Sequence, residues 1–529
     1  MAGRKARHFR FREPVSLQHA EALARIAQFP LADPAAALGA GLALINADFP
    51  ELLLPHARRL AARHPGNAQA QQLLGLTARA CGESLTAHDA FRCAAALAPR
   101  DGLIAHSHAR TALEAGLPAA DLFAAAAPLA PRDGGILLGQ AAALLAEGQA
   151  EEGIALLTCI LSANALWLDG HRSLASLRGQ MGEDPLASVD RALAHHPRAP
   201  ELHHLAISLA LQARDLPRAA AAASQAQTVL GSQRWLSLIT GHIASESGAL
   251  DAADPHFAAA GPPTDPNEAW MHARHLIRRN QPGPAAALLE PRVSQPGALA
   301  LWPYLSLAWR MTGDPRAQWL EGDPRLVGVY DIGLAPEELA DLAAHLRGLH
   351  QAKAAPLDQS VRGGTQTDGN LLLRIEPPIR DLKARLLAIV ARHIAQLPPP
   401  EAGHPTLPTH RAPVRIAGSW SVRLENAGFH TDHVHPQGWF SSALYLALPE
   451  TLGAGKSGGT DDHAGWLSLG EARDLVPGLA PLQVIEPKPG RLVLFPSTMW
   501  HGTRPFPQGE RLTVAFDIAR PRQAHALQD

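Results

Sequence analysis

Cysteine is nearly absent from this chain: 529 residues hold three, Cys81, Cys93 and Cys159. An odd, sparse set in the N-terminal third, without CxxC spacing, excludes a disulfide framework and a structural zinc site and fits a reducing compartment. A surplus of charge is also lacking. Lys+Arg 47 against Asp+Glu 49 leaves a net charge of −2, so no basic excess argues for nucleic acid and no acidic one for a disordered, solvating chain. Long hydrophobic runs are missing too. Nothing approaches the roughly 18 apolar residues that span a bilayer, and the basic opening MAGRKARHFRFREPVS runs into no uninterrupted apolar segment of the secretory kind. These absences lead us to expect a cytoplasmic protein that binds neither membrane nor nucleic acid. What the chain does have is length. At roughly 150 residues per domain it amounts to about three domain equivalents, or one long repeat array plus a single further domain.

From residue 15 to 322 the sequence is rich in Ala and Leu, poor in β-branched clusters, and evenly punctuated. Pro65, Pro99, Pro131 and Pro197 stand 34, 32 and 66 residues apart, a period near 33 with one member unmarked. Helical hairpins stacked into a solenoid have that period. In the unit Ala68–Asp101, Leu74-Gly75, Ala87, Phe91, Ala94 and Pro99 occupy a pattern similar to the tetratricopeptide consensus. Small residues there let two helices approach, Phe91 fills the gap between hairpins, and Pro99 ends the second helix. The next unit keeps Ala119, Phe123, Ala126 and Pro131 but has His106-Ser107 in place of Leu-Gly. Length and period together give about seven to nine repeats. Cys81 and Cys93 read as small core residues of one hairpin. The pairs His195-His196 and His203-His204 read as solvated helix surface.

Near Leu326 the composition changes. VGVYDIGL is the first strand-like segment, PEELADLAAHLRGLH a long helix, and DQSVRGGTQTDGNLL a polar, Gly-rich loop. A second helix is expected over about Pro378–Gln396. The Pro-rich LPPPEAGHPTLP then leads into strand-like segments. We therefore expect a multidomain chain: a basic tail 1–14, an all-α tetratricopeptide solenoid over 15–322, an α+β domain with an antiparallel jelly-roll core over 323–522, and a short tail 523–529.

The last hundred residues carry the chemistry. GFHTDHVHP at Gly428–Pro436 is followed by WHG at Trp500–Gly502 and RLTVAFDIA at Arg511–Ala519. Two closely spaced ligands, a distant third His and an Arg ten positions beyond it suit a non-haem Fe(II) oxygenase. The metal is held on one side only, and a fixed cation pins the far carboxylate of a 2-oxo acid. Residues two apart on a strand share a face, so either His433 and His435 or His430 and Asp432 could grip one ion. Alternation from Trp420, Val422 and Leu424 turns His430 and Asp432 inward, whereas a bulge at Gly428 would reverse the count. Composition of the triad favours His430/Asp432, since two His and one carboxylate is the commoner ferrous set. His501 follows the buried strand GRLVLFPS, where a barrel delivers a side chain to its mouth. In RLTVAFDIA, Arg511, Thr513, Ala515 and Asp517 share one face. An interior Arg demands an anion, which a 2-oxo dicarboxylate supplies with Thr513 donating alongside and Tyr445 in reach. GAGKSGGT at 453–460 imitates a phosphate loop, but Glu450 stands where its first Gly is required, so a flexible loop at the barrel mouth is expected. His463 and Trp466 just beyond it read as packing back on the barrel.

DQSVRGGTQTDGNL, HVHPQGWFSSALYLALP, PGRLVLFPSTMWHGTRPF and RLTVAFDIA together resemble the 2-oxoglutarate/Fe(II) oxygenase family found behind tetratricopeptide arrays in bacteria. The resemblance covers about residues 325–520. It implies a double-stranded β-helix, Fe(II) and 2-oxoglutarate as co-substrate, and dioxygen as the oxidant. It also favours His433 and His435 with His501 as the metal ligands, and implies no substrate. His-x-His stands where relatives such as prolyl hydroxylases carry His-x-Asp. The combined expectation is a dioxygenase hydroxylating a protein or peptide brought in by the array. Its rivals are an interaction scaffold with an inactive barrel and a cupin-like three-His metal enzyme that does not use 2-oxoglutarate.

Overall fold

A computed structural model describes residues 19–449, 452, 463–506 and 508–521. Both expected tails and the GAGKSGGT loop lie outside the described residues.

The period seen in the prolines is the period of the helices. First helices of successive hairpins begin at Pro34, Ala68, Gly102, Gly134, Leu168, Pro200, Arg234 and Pro266, which makes eight hairpins among the described residues. Asn67, Asp101 and Asp133 cap three of these starts with their side-chain oxygens, satisfying amides that the first turn leaves free. Gly75 is there because a Cβ would stand 2.6 Å from the Phe91 ring, the close approach that the consensus position implies. Cys81 is half-buried, but Cys93 is exposed, so it is no core residue. Its side chain sits on the outward face of the second helix, where apolar burial is not required.

The chain forms two compact units. One comprises the described residues of Met1–Ile160 with Gly369–Lys383. In it the segment Gly369–Lys383 binds hairpin turns: Lys383 Nζ donates to Gly82 O (2.7 Å) and Ile375 N to Ala115 O (3.1 Å). The other comprises Leu161–Asp368 and Ala384–Pro521, and so joins the later hairpins to the sheet. One of its apolar clusters mixes array residues such as Trp302, Leu305 and Trp309 with Ala472, Leu475 and Trp500 of the sheet region. Trp500 Nε1 donates to Pro303 O at 3.1 Å. No helix among the described residues is long and apolar enough to cross a membrane.

Among the described residues the sheet has nine strands: β1 Gly328–Asp331, β2 Val361–Gln366, β3 Ile416–His433, β4 Gly438–Ala447, β5 Leu467–Leu469, β6 Gln483–Ile485, β7 Arg491–Pro496, β8 His501–Thr503 and β9 Glu510–Ala519. Their order is β1-β7-β4-β9-β3-β8-β5-β6, with β2 beside β3 and every pairing antiparallel. β3 belongs to both halves. Its first part pairs β9 from Ile416 to Glu425 and its last part pairs β8 from His430 to His433. The two four-stranded halves, β7-β4-β9-β3 and β3-β8-β5-β6, are the two faces of a double-stranded β-helix. Between them pack Tyr445, Leu467, Leu469, Ile485, Val493, Phe495 and Met499. The outer side of the larger face, with Leu512, Val514, Phe516 and Ile518 fully buried, is covered by helix Pro336–Arg347 against β4 and by helix Pro377–Gln396, whose His393 ring meets Phe440 edge-on at 4.9 Å.

Candidate metal centre

β3 must change sheets midway, and the residues at the crossing allow it. Gly363, at φ +68° on β2, faces Gly428 and Glu425, and a Cβ on Gly428 would stand 2.5 Å from Gly363 O. Pairing slips there between Arg362 and Gly364, and again on the β8 side between His430 and His433. The count that alternation predicts from Trp420 still turns His430 into the cleft, and it is lost at the second slip, between His430 and His433.

The outcome is a cleft at the mouth of the barrel, lined among others by Trp420, His430, His433, His435, His501, Arg511, Thr513 and Asp517. His433 and His501 are direct partners across β3 and β8, their ring centroids 4.2 Å apart. His435 stands beyond the strand end, its backbone N donating to Ser497 O (2.9 Å). One ring nitrogen from each of His433, His435 and His501 lies within 4.8 Å of the other two, an arrangement able to hold a metal ion. Every Nδ1 of the three has an acceptor: Thr431 O for His433 (2.8 Å), Asp517 Oδ2 for His435 (2.7 Å) and Met499 O for His501 (3.0 Å). Nδ1–H is thereby fixed as the donor, and each Nε2 keeps its lone pair for a ligand bond. Asp517 is itself held by Ser441 Oγ (2.6 Å), and the Trp420 ring stacks on His435 at 5.6 Å. Burial pulls the pKa of His501 down to about 3 and that of His433 well below the ordinary imidazole value. Both are neutral near pH 7, as metal binding requires. The donor set therefore fits a divalent transition metal.

The other sequence-derived candidates divide. His430 lines the same cleft, stacked on His433 at 6.0 Å, with burial first and the Arg511 charge second keeping it neutral. Asp432 turns the other way. Its carboxylate, 2% exposed, accepts from Arg473 N (2.7 Å), Nε (2.8 Å) and Nη2 (2.5 Å). The alternative pair His430 and Asp432 thus does not converge, because the slip in β3 separates their directions. Arg511, Thr513, Ala515 and Asp517 all line the cleft, as their shared face requires. Arg511 is 2% exposed and makes no ion pair among the described residues; its Nε is buried without a hydrogen-bond partner. Burial lowers its pKa, and the ring of Tyr445 lies under its guanidinium at 4.9 Å. Tyr445 is fully buried, pairs with Thr513 across β4 and β9, and its hydroxyl also lacks a partner. His463 and Trp466 pack on each other edge-on at 4.8 Å and do not line the cleft. In the array, His203 is buried rather than solvated, its Nε2 bonded to Pro197 O (2.7 Å).

Sequence reasoning did not assign Asp517 to His435, Arg473 to Asp432, or Ser360 to any role. An Asp on the interior face of RLTVAFDIA was the one available signal, since a buried carboxylate needs a donor.

Residues 418–517 match the family described as "Putative 2OG-Fe(II) oxygenase". A search of curated proteins gave no match. Among solved structures, a Pseudomonas putida prolyl-4-hydroxylase is similar at 17% identity over 42% of this chain and 100% of that one, with a TM-score of 0.26. HygX from Streptomyces hygroscopicus, solved with nickel and 2-oxoglutarate bound, is similar at 13% identity over 39% and 85% with a TM-score of 0.25. A tetratricopeptide protein of Thermus thermophilus is similar at 20% identity over 34% and 100% with a TM-score of 0.26. At such identities and scores no activity passes from these proteins to this chain. The family match itself covers all three converging imidazoles, Arg511 and Asp517, so the part of this chain that is similar to the 2-oxoglutarate/Fe(II) oxygenase family is the part that builds the cleft, and it follows helical hairpins of tetratricopeptide-like period.

Proposed function

We propose that the chain is a 2-oxoglutarate- and Fe(II)-dependent dioxygenase that hydroxylates a protein or peptide recruited by its repeat array. The observation that carries this reading is the coincidence, in one cleft, of three converging imidazoles and a buried guanidinium without an anionic partner. His433, His435 and His501 would hold the iron, and the outer bonds to Thr431, Asp517 and Met499 keep their rings aimed. Arg511 would hold the distal carboxylate of 2-oxoglutarate, with Thr513 beside it and Tyr445 supporting the guanidinium from below. When bound, iron and 2-oxoglutarate supply the oxidising chemistry that inserts one oxygen atom of dioxygen into a C–H bond. The protein's own share is positioning and exclusion of water. The peptide substrate is supported by the repeated helical hairpins, since such repeats offer extended surfaces suited to such partners. Three cysteines outside any disulfide support a cytoplasmic location.

An unpaired Arg511 also separates this reading from a cupin-like enzyme, which has no use for a buried cation at that depth. The test is calorimetric titration of 2-oxoglutarate into the chain loaded with Ni(II) in place of iron. Saturable, metal-dependent binding is expected. Iron-dependent dioxygen consumption indifferent to 2-oxoglutarate would instead establish the cupin-like enzyme, and a chain that binds no metal but retains a peptide partner would establish the scaffold.

A further inference from the structure

The wall of the cleft opposite β8 is made by the segment leading into β2, and its position is set by the array. Within the second unit, Lys353 N and Ala354 N donate to Gln180 O (2.8 and 2.9 Å), and Asp358 N donates to Gln212 O (3.1 Å). Gln180 and Gln212 are the last residues of helices Leu168–Gln180 and Pro200–Gln212, so carbonyls that a helix end leaves free are taken by this segment. Two residues after Gln212, Arg214 reaches across and donates from Nη2 to Thr431 Oγ1 (3.1 Å).

Thr431 is where these connections meet the metal centre. Its carbonyl accepts from His433 Nδ1, and its backbone N donates to Ser360 O (3.0 Å). Ser360 Oγ in turn stands 3.2 Å from His433 Nε2 and 3.0 Å from His430 Nδ1. The protons can be assigned from chemistry alone. A carbonyl only accepts, so His433 Nδ1 carries a hydrogen and Nε2 does not; the Ser360 hydroxyl must donate to that Nε2. Having spent its single hydrogen, Ser360 Oγ accepts from His430 Nδ1–H. The lone pair that Ser360 engages is the one His433 would give a metal.

We propose that Ser360 is a positioning residue that competes with the metal for His433 Nε2, and that the array, through Gln180, Gln212 and Arg214, sets how strongly it competes. This rests on the reading of His433, His435 and His501 as the ligands. Loading then requires the Ser360 hydroxyl to turn away, and whatever shifts helices Leu168–Gln180 and Pro200–Gln212 alters metal affinity. The repeat array acts on the site as well as on a partner.

The test is Ni(II) titration of the full chain, stripped with a chelator, by calorimetry, with thermal unfolding of the metal-free proteins alongside. Ser360→Ala removes one modest hydrogen bond and should bind Ni(II) roughly 2- to 10-fold more tightly. Ser360→Thr, which keeps the hydroxyl, should stay near wild type. Arg214→Ala, at an exposed side chain, should shift affinity in the same direction by less. A merely structural Ser360 would give weaker binding together with a lower melting temperature. Unchanged or weaker Ni(II) binding in Ser360→Ala overturns the competition, and Arg214→Ala at wild-type affinity overturns the link to the array. Failure of the wild type to bind Ni(II) sinks the ligand assignment itself, a different result from either.

Discussion

Buried histidines occur in both regions of this molecule, and the contrast between them separates a structural imidazole from one in a site. In the array, His171 has Nδ1 on Ser188 Oγ (3.0 Å) and Nε2 on Ala165 O (3.0 Å), and His275 has Nδ1 on Ser245 Oγ (3.0 Å) and Nε2 on Asp254 Oδ1 (2.8 Å). Both nitrogens are engaged, mostly by residues of neighbouring helices, and nothing remains for a ligand. In the barrel, His435 and His501 have Nδ1 fixed and Nε2 turned toward His433. Burial and hydrogen bonding are common to both groups; convergence of the remaining lone pairs belongs to one.

The largest effect should come from crossing that line. His435→Ala or His501→Ala should lower Ni(II) affinity by more than the roughly 10–100-fold that loss of an outer-shell partner brings, whereas His171→Ala should leave it unchanged and cost about 1–3 kcal/mol of stability. Calorimetry and urea unfolding on the same preparations check both halves. Equal losses in the two regions would erase the distinction.

Next in size is the outer bond. Asp517→Asn keeps the shape but weakens the acceptor for His435 Nδ1, and metal affinity should fall by roughly 10–100-fold. Asp432→Ala, which strips Arg473 of its nearest carboxylate, should lower the melting temperature while metal affinity stays within a few-fold. Loss of metal in Asp432→Ala with retention in His435→Ala would move the site to His430 and Asp432.

Arg511→Ala should weaken 2-oxoglutarate binding at least roughly tenfold with Ni(II) still bound, because a charge-assisted hydrogen bond is worth about 1.5–3 kcal/mol. Arg511→Lys should restore only part, since the ammonium lacks the fork. Unchanged affinity for 2-oxoglutarate would leave the buried cation without a purpose and favour the cupin-like enzyme.

The effect furthest from the site is on stability against pH. Burial pulls His350 and His393, which flank the sheet, down to about 4. Since the unfolded state takes a proton near 6.5 that the native state refuses, their contribution is complete above pH 6.5. It declines by about 1.4 kcal/mol per histidine per pH unit toward pH 4. Urea midpoints at pH 7, 6 and 5 should follow that slope, and His350→Asn should flatten it. A midpoint independent of pH in this window would contradict the burial.

Much of the fold was legible because its signals are local. Hairpins recur every 32 to 34 residues, so proline spacing and one Leu-Gly/Ala/Phe/Ala/Pro pattern sufficed. The strands announced themselves by alternation, and the inward face of β9 could be read from RLTVAFDIA alone. Parity failed at β3. Two slips in one 18-residue strand come from pairing with β2 and β8, partners distant in sequence, and no pattern within GFHTDHVHP encodes them. Arg473, which draws Asp432 out of the cleft, is 41 residues away.

The sequence by itself determined the two kinds of region, the hairpin period, and the residue types and spacing of a ferrous centre, because helix propensity, periodicity and ligand spacing act over short stretches of chain. Only the tertiary structure decided which imidazoles converge, that the later hairpins share a core with Trp500, and that Arg214 and Ser360 reach the first ligand strand. Those outcomes depend on registers and side-chain directions set where segments two hundred residues apart meet, as Arg214 and Thr431 do, and such meetings leave no periodic trace in the chain.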